Sequence, residues 1–155
     1  MAKEIERKFL ISSGGWRSGA VGKSYCQGYI ATAQKGQSVR ARIVGDQGYL
    51  TIKGPANGLS RAEFEYPIPV ADAREILETL CIQPPIEKVR YRLPIGELVW
   101  EIDEFKGENE GLIIAEVELT SESQPVDLPE WVGAEVSGQD KYYNASLVRN
   151  PYSKW

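Results

Sequence analysis

Charged side chains recur at every second position in seven segments of this 155-residue chain. Alternate residues of an extended strand point the same way, so each segment carries its charges on one face and mostly apolar residues on the other. The first strand, 3–11, presents Glu4, Glu6 and Lys8. A second, 24–32, is uncharged on this face and presents Gln27 and Tyr29. Six more follow at 38–44 (Arg40, Arg42), 47–54 (Thr51, Lys53), 62–69 (Glu63, Glu65), 86–94 (Lys88, Arg90, Arg92), 97–106 (Glu101, Asp103) and 111–120 (Glu116, Glu118). Gly45-Asp46-Gln47-Gly48 and Pro94-Ile95-Gly96 read as hairpin turns between them.

For any one strand, the ordinary explanation is a wet face of an antiparallel sheet, with Ile5, Ala41, Phe64, Val89, Ile102 and Val117 turned to a core. Taken together, the eight acids and seven bases argue otherwise. Serine, threonine and glutamine are scarce among them, and acids and bases are largely segregated by strand. Like charges two residues apart on a strand lie about 7 Å from each other and repel unless a counter-ion is present. Eight strands are enough to close a barrel. The fold class expected is therefore mainly β (α+β): a closed, eight-stranded antiparallel barrel with charges inside and a few flanking helices. The apolar outer face must then be covered, and two helices cover only part of it. Leu98, Trp100 and Ile102, opposite Glu101, belong to that covered face or to a dimer interface.

The helical signal is clearest over 70–80, where Ala73, Ile76, Leu77 and Leu80 share one side and Pro84-Pro85 stops any extension. A second helix is expected over 138–148, and Leu128–Val132 reads as a single turn. With neither repeat nor linker, the chain reads as one domain over 1–155. Histidine is absent, which removes His-based zinc sites and the usual Ser-His and Cys-His pairs. Any metal is then expected to be a hard cation held by oxygens. Cys26 and Cys81 read as reduced, structural thiols, and the net charge of −4 argues against nucleic-acid or membrane partners. Without a leader or spanning segment the expectation is cytoplasmic.

The ordered motifs resemble the CYTH domain, or triphosphate tunnel metalloenzyme, superfamily. Glu4-Ile5-Glu6-Arg7-Lys8 is similar to its N-terminal Glu-x-Glu-x-Lys signature. The likeness continues through Gln27-Gly28-Tyr29, Arg40-x-Arg42, Thr51-x-Lys53, Arg61-Ala62-Glu63-Phe64-Glu65, Lys88-x-Arg90-Tyr91, Glu101-x-Asp103, Glu116-x-Glu118 and the closing Asp140–Ala145. It implies an eight-stranded tunnel that binds triphosphate and a divalent metal, Mg2+ or Mn2+, as two ions.

On that resemblance Glu4, Glu6, Glu116 and Glu118 are metal-ligand candidates, because the first and last strands of a closed barrel are neighbours. Glu63, Glu65, Glu101 and Asp103 complete a second metal site or orient the attacking water, with Glu101 and Asp103 counted among the metal ligands and Glu63 and Glu65 among the catalytic residues. Lys8, Arg40, Arg42, Lys53, Lys88 and Arg90 are the expected phosphate contacts, the guanidinium forks bidentate and the ammonium groups point charges. A Lys8–Tyr29 dyad is implied by relatives of this type. Arg61 and Arg92 fall at the tunnel mouth or on the surface, and Lys141 either plugs one end or is solvated. The expected activity is metal-dependent hydrolysis of inorganic triphosphate, with nucleoside triphosphates as further substrates, by a monomer or homodimer. The alternatives are a class IV-type adenylate cyclase making cyclic AMP from ATP, a thiamine triphosphatase, and a nonenzymatic polyphosphate- or nucleotide-binding module.

Overall fold

The computed structural model of the chain describes residues 2–32 and 36–155. Its strands are β1 (Lys3–Ile11), β2 (Gly22–Thr32), β3 (Ser38–Val44), β4 (Gln47–Lys53), β5 (Ser60–Ile68), β6 (Ile86–Ile95), β7 (Leu98–Phe105), β8 (Ile113–Glu118) and β9 (Val132–Glu135). Helix α1 spans Val70–Thr79 and helix α2 Asn144–Leu147. Neighbouring strands run β5-β4-β3-β2-β6-β7-β8-β1, and β1 pairs back onto β5 through Glu4↔Arg61, closing an eight-stranded antiparallel barrel. Strand β9 takes up the edge of β1 beyond the reach of β5, with Phe9↔Glu135 and Ile11↔Val132. Gly133 makes that approach possible, since a side-chain carbon there would lie 3.2 Å from the Leu10 carbonyl oxygen.

The inward face changes character along the barrel. On β1, β6, β7 and β8, residues of one parity run from Leu10 to Lys8, Ile86 to Lys88, Phe105 to Asp103 and Ile114 to Glu116. The apolar members pack with Leu112, Val136, Tyr142, Leu147 and Val148, which floor the barrel at one end. Beyond this dry floor the interior is charged.

The exterior is covered by more than helices. Helix α1 packs Leu77 against Ala41 and Cys81, and a side-chain carbon at Gly28 would meet Leu77 and Cys81 at 2.9 Å, so the glycine sets how closely the helix lies. Across the barrel Phe9, Trp100, Ile102, Ala115 and Val117 are sealed by Trp16, Leu119 and Trp131, which come from largely irregular segments. Trp100 meets Phe9 at 5.6 Å and Trp131 at 5.4 Å between ring centres. Trp100 and Ile102 are therefore buried within the chain. Both cysteines are free thiols. Among the described residues no helix is long and apolar enough to cross a membrane.

The expected 138–148 helix is broken. A 3-10 turn over Asp140–Tyr142 is followed by extended Tyr143 (φ −72, ψ 139) and then α2. The break sends Tyr142 into the floor while Tyr143 faces the charged interior, which successive residues of one helix would not do. The expected turn at Leu128–Val132 is present, closed by Val132 N–H donating to the Pro129 carbonyl at 3.1 Å, and it leads into β9.

Leu147 is 1% exposed within the floor. Leu147→Ala is expected to cost about 2–5 kcal/mol in urea unfolding, the usual cost of a large-to-small core substitution. A cost below about 0.5 kcal/mol, typical of surface changes, would show the C-terminal segment to be a cover resting on the barrel.

Candidate active site

Parity inside the barrel brings the charged residues to one cavity of about 170 Å³. Its lining includes seven acids, Glu4, Glu6, Glu63, Glu65, Glu101, Glu116 and Glu118, and seven bases, Lys8, Arg40, Arg42, Lys53, Arg61, Lys88 and Arg90. The two signs are largely separated around the barrel. Acids dominate the adjoining strands β7, β8 and β1 and continue onto β5, while Arg40, Arg42, Lys88 and Arg90 stand on β3 and β6, either side of β2.

The basic wall is held from behind. Asp103, with 0% exposure, accepts 2.7 Å hydrogen bonds from Lys88 Nζ and Arg90 Nε and one of 2.9 Å from Arg90 Nη2. Burial opposes its charge, but Arg90 and Lys88 prevail and hold its carboxyl well below the usual range. Both its oxygens are taken and it lies outside the cavity lining, so it anchors bases instead of standing among the expected metal ligands. Burial draws Lys88 below the ordinary lysine range despite Asp103. Arg42 falls to about 10, through burial and then its neighbours Arg40 and Arg90. Arg40 donates to Thr51 Oγ1 at 3.1 Å, and its buried Nε has no hydrogen-bond partner among the described residues.

The acidic wall is short of partners. Glu6 lies opposite Glu118 across β1 and β8, and Glu101 opposite Glu116 across β7 and β8. Like charges in such pairs are destabilising unless a cation intervenes. Burial, then Glu116 and Glu4, push Glu6 up to about 8. Burial and a hydrogen bond with Glu63 raise Glu4 to about 6, against Lys53, whose Nζ donates to Glu4 Oε1 at 2.7 Å. Glu118 is raised too, by burial and by Glu4 and Glu101. Glu116 alone in this group goes down, to about 2, because Lys8 and Arg90 outweigh its burial. Among the described residues the buried Glu63 Oε2 has no hydrogen-bond partner, with Lys53 Nζ 3.6 Å away.

These surplus carboxylates are all-oxygen donors, the set a hard divalent cation takes. Among the described residues no three acids yet converge as a finished metal site. The unpartnered Glu63 oxygen and the repelling acid pairs nonetheless fit a cation on this wall, just as the unpartnered Arg40 Nε fits an anion on the other.

Some expected contacts are rearranged. Lys8 Nζ lies 3.5 Å from Glu116, 4.9 Å from the centre of the Tyr143 ring, and donates to the Tyr142 carbonyl at 3.4 Å. The hydroxyl of Tyr29 instead accepts from Gln27 Nε2, so the tyrosine over Lys8 is Tyr143. Arg61 lines the cavity, donating to the Gly54 and Gly36 carbonyls, whereas Arg92 is exposed, outside it. Lys141 stacks on Trp155 at 4.3 Å on the surface, and the tunnel end is filled by Tyr143, Asn144 and Ala145. Sequence reasoning missed Tyr143, Asn144 and Ser38 as lining residues. The closing Asp140–Ala145 motif was the signal for the first two.

The comparisons with known proteins converge on this arrangement. The chain is 52% identical over 155 residues to an inorganic triphosphatase of Acetivibrio thermocellus, covering 100% of this chain and 99% of that protein. It is 36% identical over 150 residues to an inorganic triphosphatase of Nitrosomonas europaea, covering 94% and 96%. A crystal structure of an inorganic triphosphatase superposes with a TM-score of 0.65 at 30% identity, covering 96% of this chain and 95% of that one. The CYTH domain model matches residues 2–152. With alternating charges turned into a closed tunnel along nearly its whole length, the chain belongs to the CYTH domain family of the triphosphate tunnel metalloenzyme superfamily.

Proposed function

We propose that this protein hydrolyses inorganic triphosphate to diphosphate and orthophosphate in a divalent-metal-dependent reaction, and that nucleoside triphosphates are secondary substrates. The observation that carries the reading is the two-walled cavity, whose basic side holds an unpartnered guanidinium nitrogen and whose acidic side holds an unpartnered carboxylate oxygen. The two inorganic triphosphatases that are 52% and 36% identical to this chain support it.

A triphosphate carries several negative charges along its length, and Arg40, Arg42, Lys88 and Arg90 meet it from β3 and β6, with Lys8, Lys53 and Arg61 completing the ring. The forked Arg40, Arg42 and Arg90 suit bidentate contact with phosphoryl oxygens. Their fixed positions stabilise charge on the transferred group and on the leaving diphosphate, the dominant contribution in phosphoryl transfer. Glu4, Glu6, Glu116 and Glu118 would hold Mg2+ or Mn2+, with Glu101 at the edge of the same wall. A metal held there would offset the charge of the acids and of the phosphate groups. Glu63 and Glu65, on β5 beside β1, orient the attacking water. Asp103 serves the bases, not the metal.

The decisive experiment is a substrate panel of inorganic triphosphate, ATP, thiamine triphosphate and diphosphate with Mg2+ or Mn2+, products separated. Orthophosphate from inorganic triphosphate, lost on adding a chelator, is the expected result. Cyclic AMP from ATP as the main product would replace this reading with a cyclase. Glu6→Ala and Glu118→Ala are each expected to abolish metal-dependent phosphate release while leaving the metal-free melting temperature unchanged or higher, since each relieves a like-charge pair. Full activity in both variants would remove these two residues from the metal site.

The raised carboxyls also set a pH dependence. Glu6 and Glu4 bind protons more tightly folded than unfolded, so the stability they contribute is complete below about 4.5 and is lost as pH rises through about 6 and about 8. A cation replaces those protons, so its binding strengthens with pH over the same window. The Mg2+-induced rise in melting temperature should therefore be larger at pH ~8.5 than at pH ~5.5. An equal rise at both would show that the cation does not compete with protons on this wall.

A further inference from the structure

We propose that Gln27, a residue that does not reach the cavity, is a positioning residue for triphosphate turnover: its amide aligns Arg42 and directs the Tyr29 hydroxyl proton at the substrate. The inference rests on the triphosphatase reading and adds to it how the neutral strand between the two basic strands takes part.

Gln27 is 0% exposed, on β2 between Arg42 of β3 and Lys88 of β6. Its Oε1 accepts from Arg42 Nε at 3.0 Å, while its Nε2 donates to the Tyr29 hydroxyl and to Asn144 Oδ1, both at 3.1 Å. The amide has only one consistent orientation, because Arg42 Nε is solely a donor and must face the oxygen. The NH2 end then faces Tyr29, whose oxygen acts as acceptor in that bond. The tyrosine's own proton must go elsewhere, and the Tyr29 side chain lines the cavity. A phosphoryl oxygen in the cavity is an acceptor for it, and Tyr29 donates to the substrate without needing Lys8.

Asn144 extends the same alignment. Its Oδ1 also accepts from Lys88 Nζ at 3.0 Å, and Lys88 donates to Asp103, which holds Arg90. Arg42, Lys88 and Arg90 are thus tied into one run of hydrogen bonds whose neutral members are Gln27 and Asn144. Gln27 is the one member that orients both a cation and a neutral donor of the cavity.

Two substitutions of similar length separate alignment from packing. In Gln27→Glu the shape is kept, but both ends become acceptors. The carboxylate still takes Arg42, yet Tyr29 must now turn its proton away from the cavity, and Asn144 Oδ1 faces an oxygen. In Gln27→Met both polar ends are lost. Steady-state kinetics on inorganic triphosphate with Mg2+ should show kcat falling about tenfold or more in Gln27→Glu, in spite of the matched shape. Gln27→Met should raise KM through the loosened Arg42 and lower kcat through Tyr29, each by severalfold. Tyr29→Phe should add little to the kcat loss of Gln27→Glu, because the proton it removes is already misdirected.

Near-wild-type kinetics in Gln27→Glu, or full additivity with Tyr29→Phe, would overturn the inference while leaving the triphosphatase reading intact. If Gln27→Glu fails to fold, judged by its melting curve, the KM and kcat changes in Gln27→Met decide, and values both within about twofold of wild type overturn it. A wild-type protein that neither hydrolyses nor binds inorganic triphosphate by calorimetry would overturn the parent reading, and this inference with it.

Discussion

A carboxylate with no solvent exposure organises one side of this barrel. Asp103 sits next to Arg90 across the β6–β7 pairing, and its two oxygens are divided between Lys88 and Arg90. Such a buried cluster adds little net stability, because desolvating the charges offsets their attraction, yet removing one partner strands the others and is strongly unfavourable. Its consequence is geometric. Two cations that would otherwise seek water are held facing a cavity, and Gln27 and Asn144 extend the restraint to Arg42. The basic wall is ordered before any anion arrives, so little reorganisation is left for the moment of binding.

The acidic wall follows the opposite logic. Strand pairing sets Glu6 against Glu118 and Glu101 against Glu116, and the chain supplies too few cations to satisfy them. Glu116 and Glu101 are the exceptions, since Lys8 and Arg90 lean toward the first and Arg90 and Arg92 toward the second. Glu6 and Glu118 respond as crowded, buried carboxyls do, by holding protons more tightly. One wall is thus complete in itself, and the other is completed from outside. The same asymmetry explains why an interior with as many acids as bases is not fully paired off: Glu4, Glu63, Glu65, Glu101 and Glu116 each have a base within 4.0 Å, whereas among the described residues Glu6 and Glu118 have none.

Much of this was legible in the sequence because strand parity is a strict code. Eight alternating segments give both the closed sheet and the side on which each charge stands, and thirteen of the fifteen parity-matched charges, all but Arg92 and Asp103, line the cavity as the alternation requires. What parity does not encode is depth and direction. Asp103 has the parity of a metal ligand, but its neighbours on β6 claim both oxygens. Lys8 has the parity to meet Tyr29, but the chain breaks its helix at Tyr143 and brings that ring over the ammonium instead. Strand β9 escaped because Val-Gly-Ala-Glu carries no alternation of charge and is a strand only by virtue of the β1 edge it finds. The Trp16 and Trp131 covers escaped because irregular segments have no period to read.

Depth matters for the chemistry. Where Leu10, Ile86, Phe105 and Ile114 give way to Lys8, Lys88, Asp103 and Glu116, the charged interior meets a dry floor. Lys8, Lys88 and Asp103 at that boundary, with Gln27 beside them, are among the most buried polar groups of the tunnel, and each is held by hydrogen bonds to its neighbours. Farther out, Glu118 and Glu65 are exposed and their side chains have room to adjust. Interactions between charges strengthen as water is excluded, so the fixed groups are also the ones whose fields act most strongly. The tunnel therefore grades from rigid and strongly coupled at the floor to adaptable at the mouth. That order suits a substrate whose deep end must be held in one place while its outer end, and the ions that accompany it, come and go.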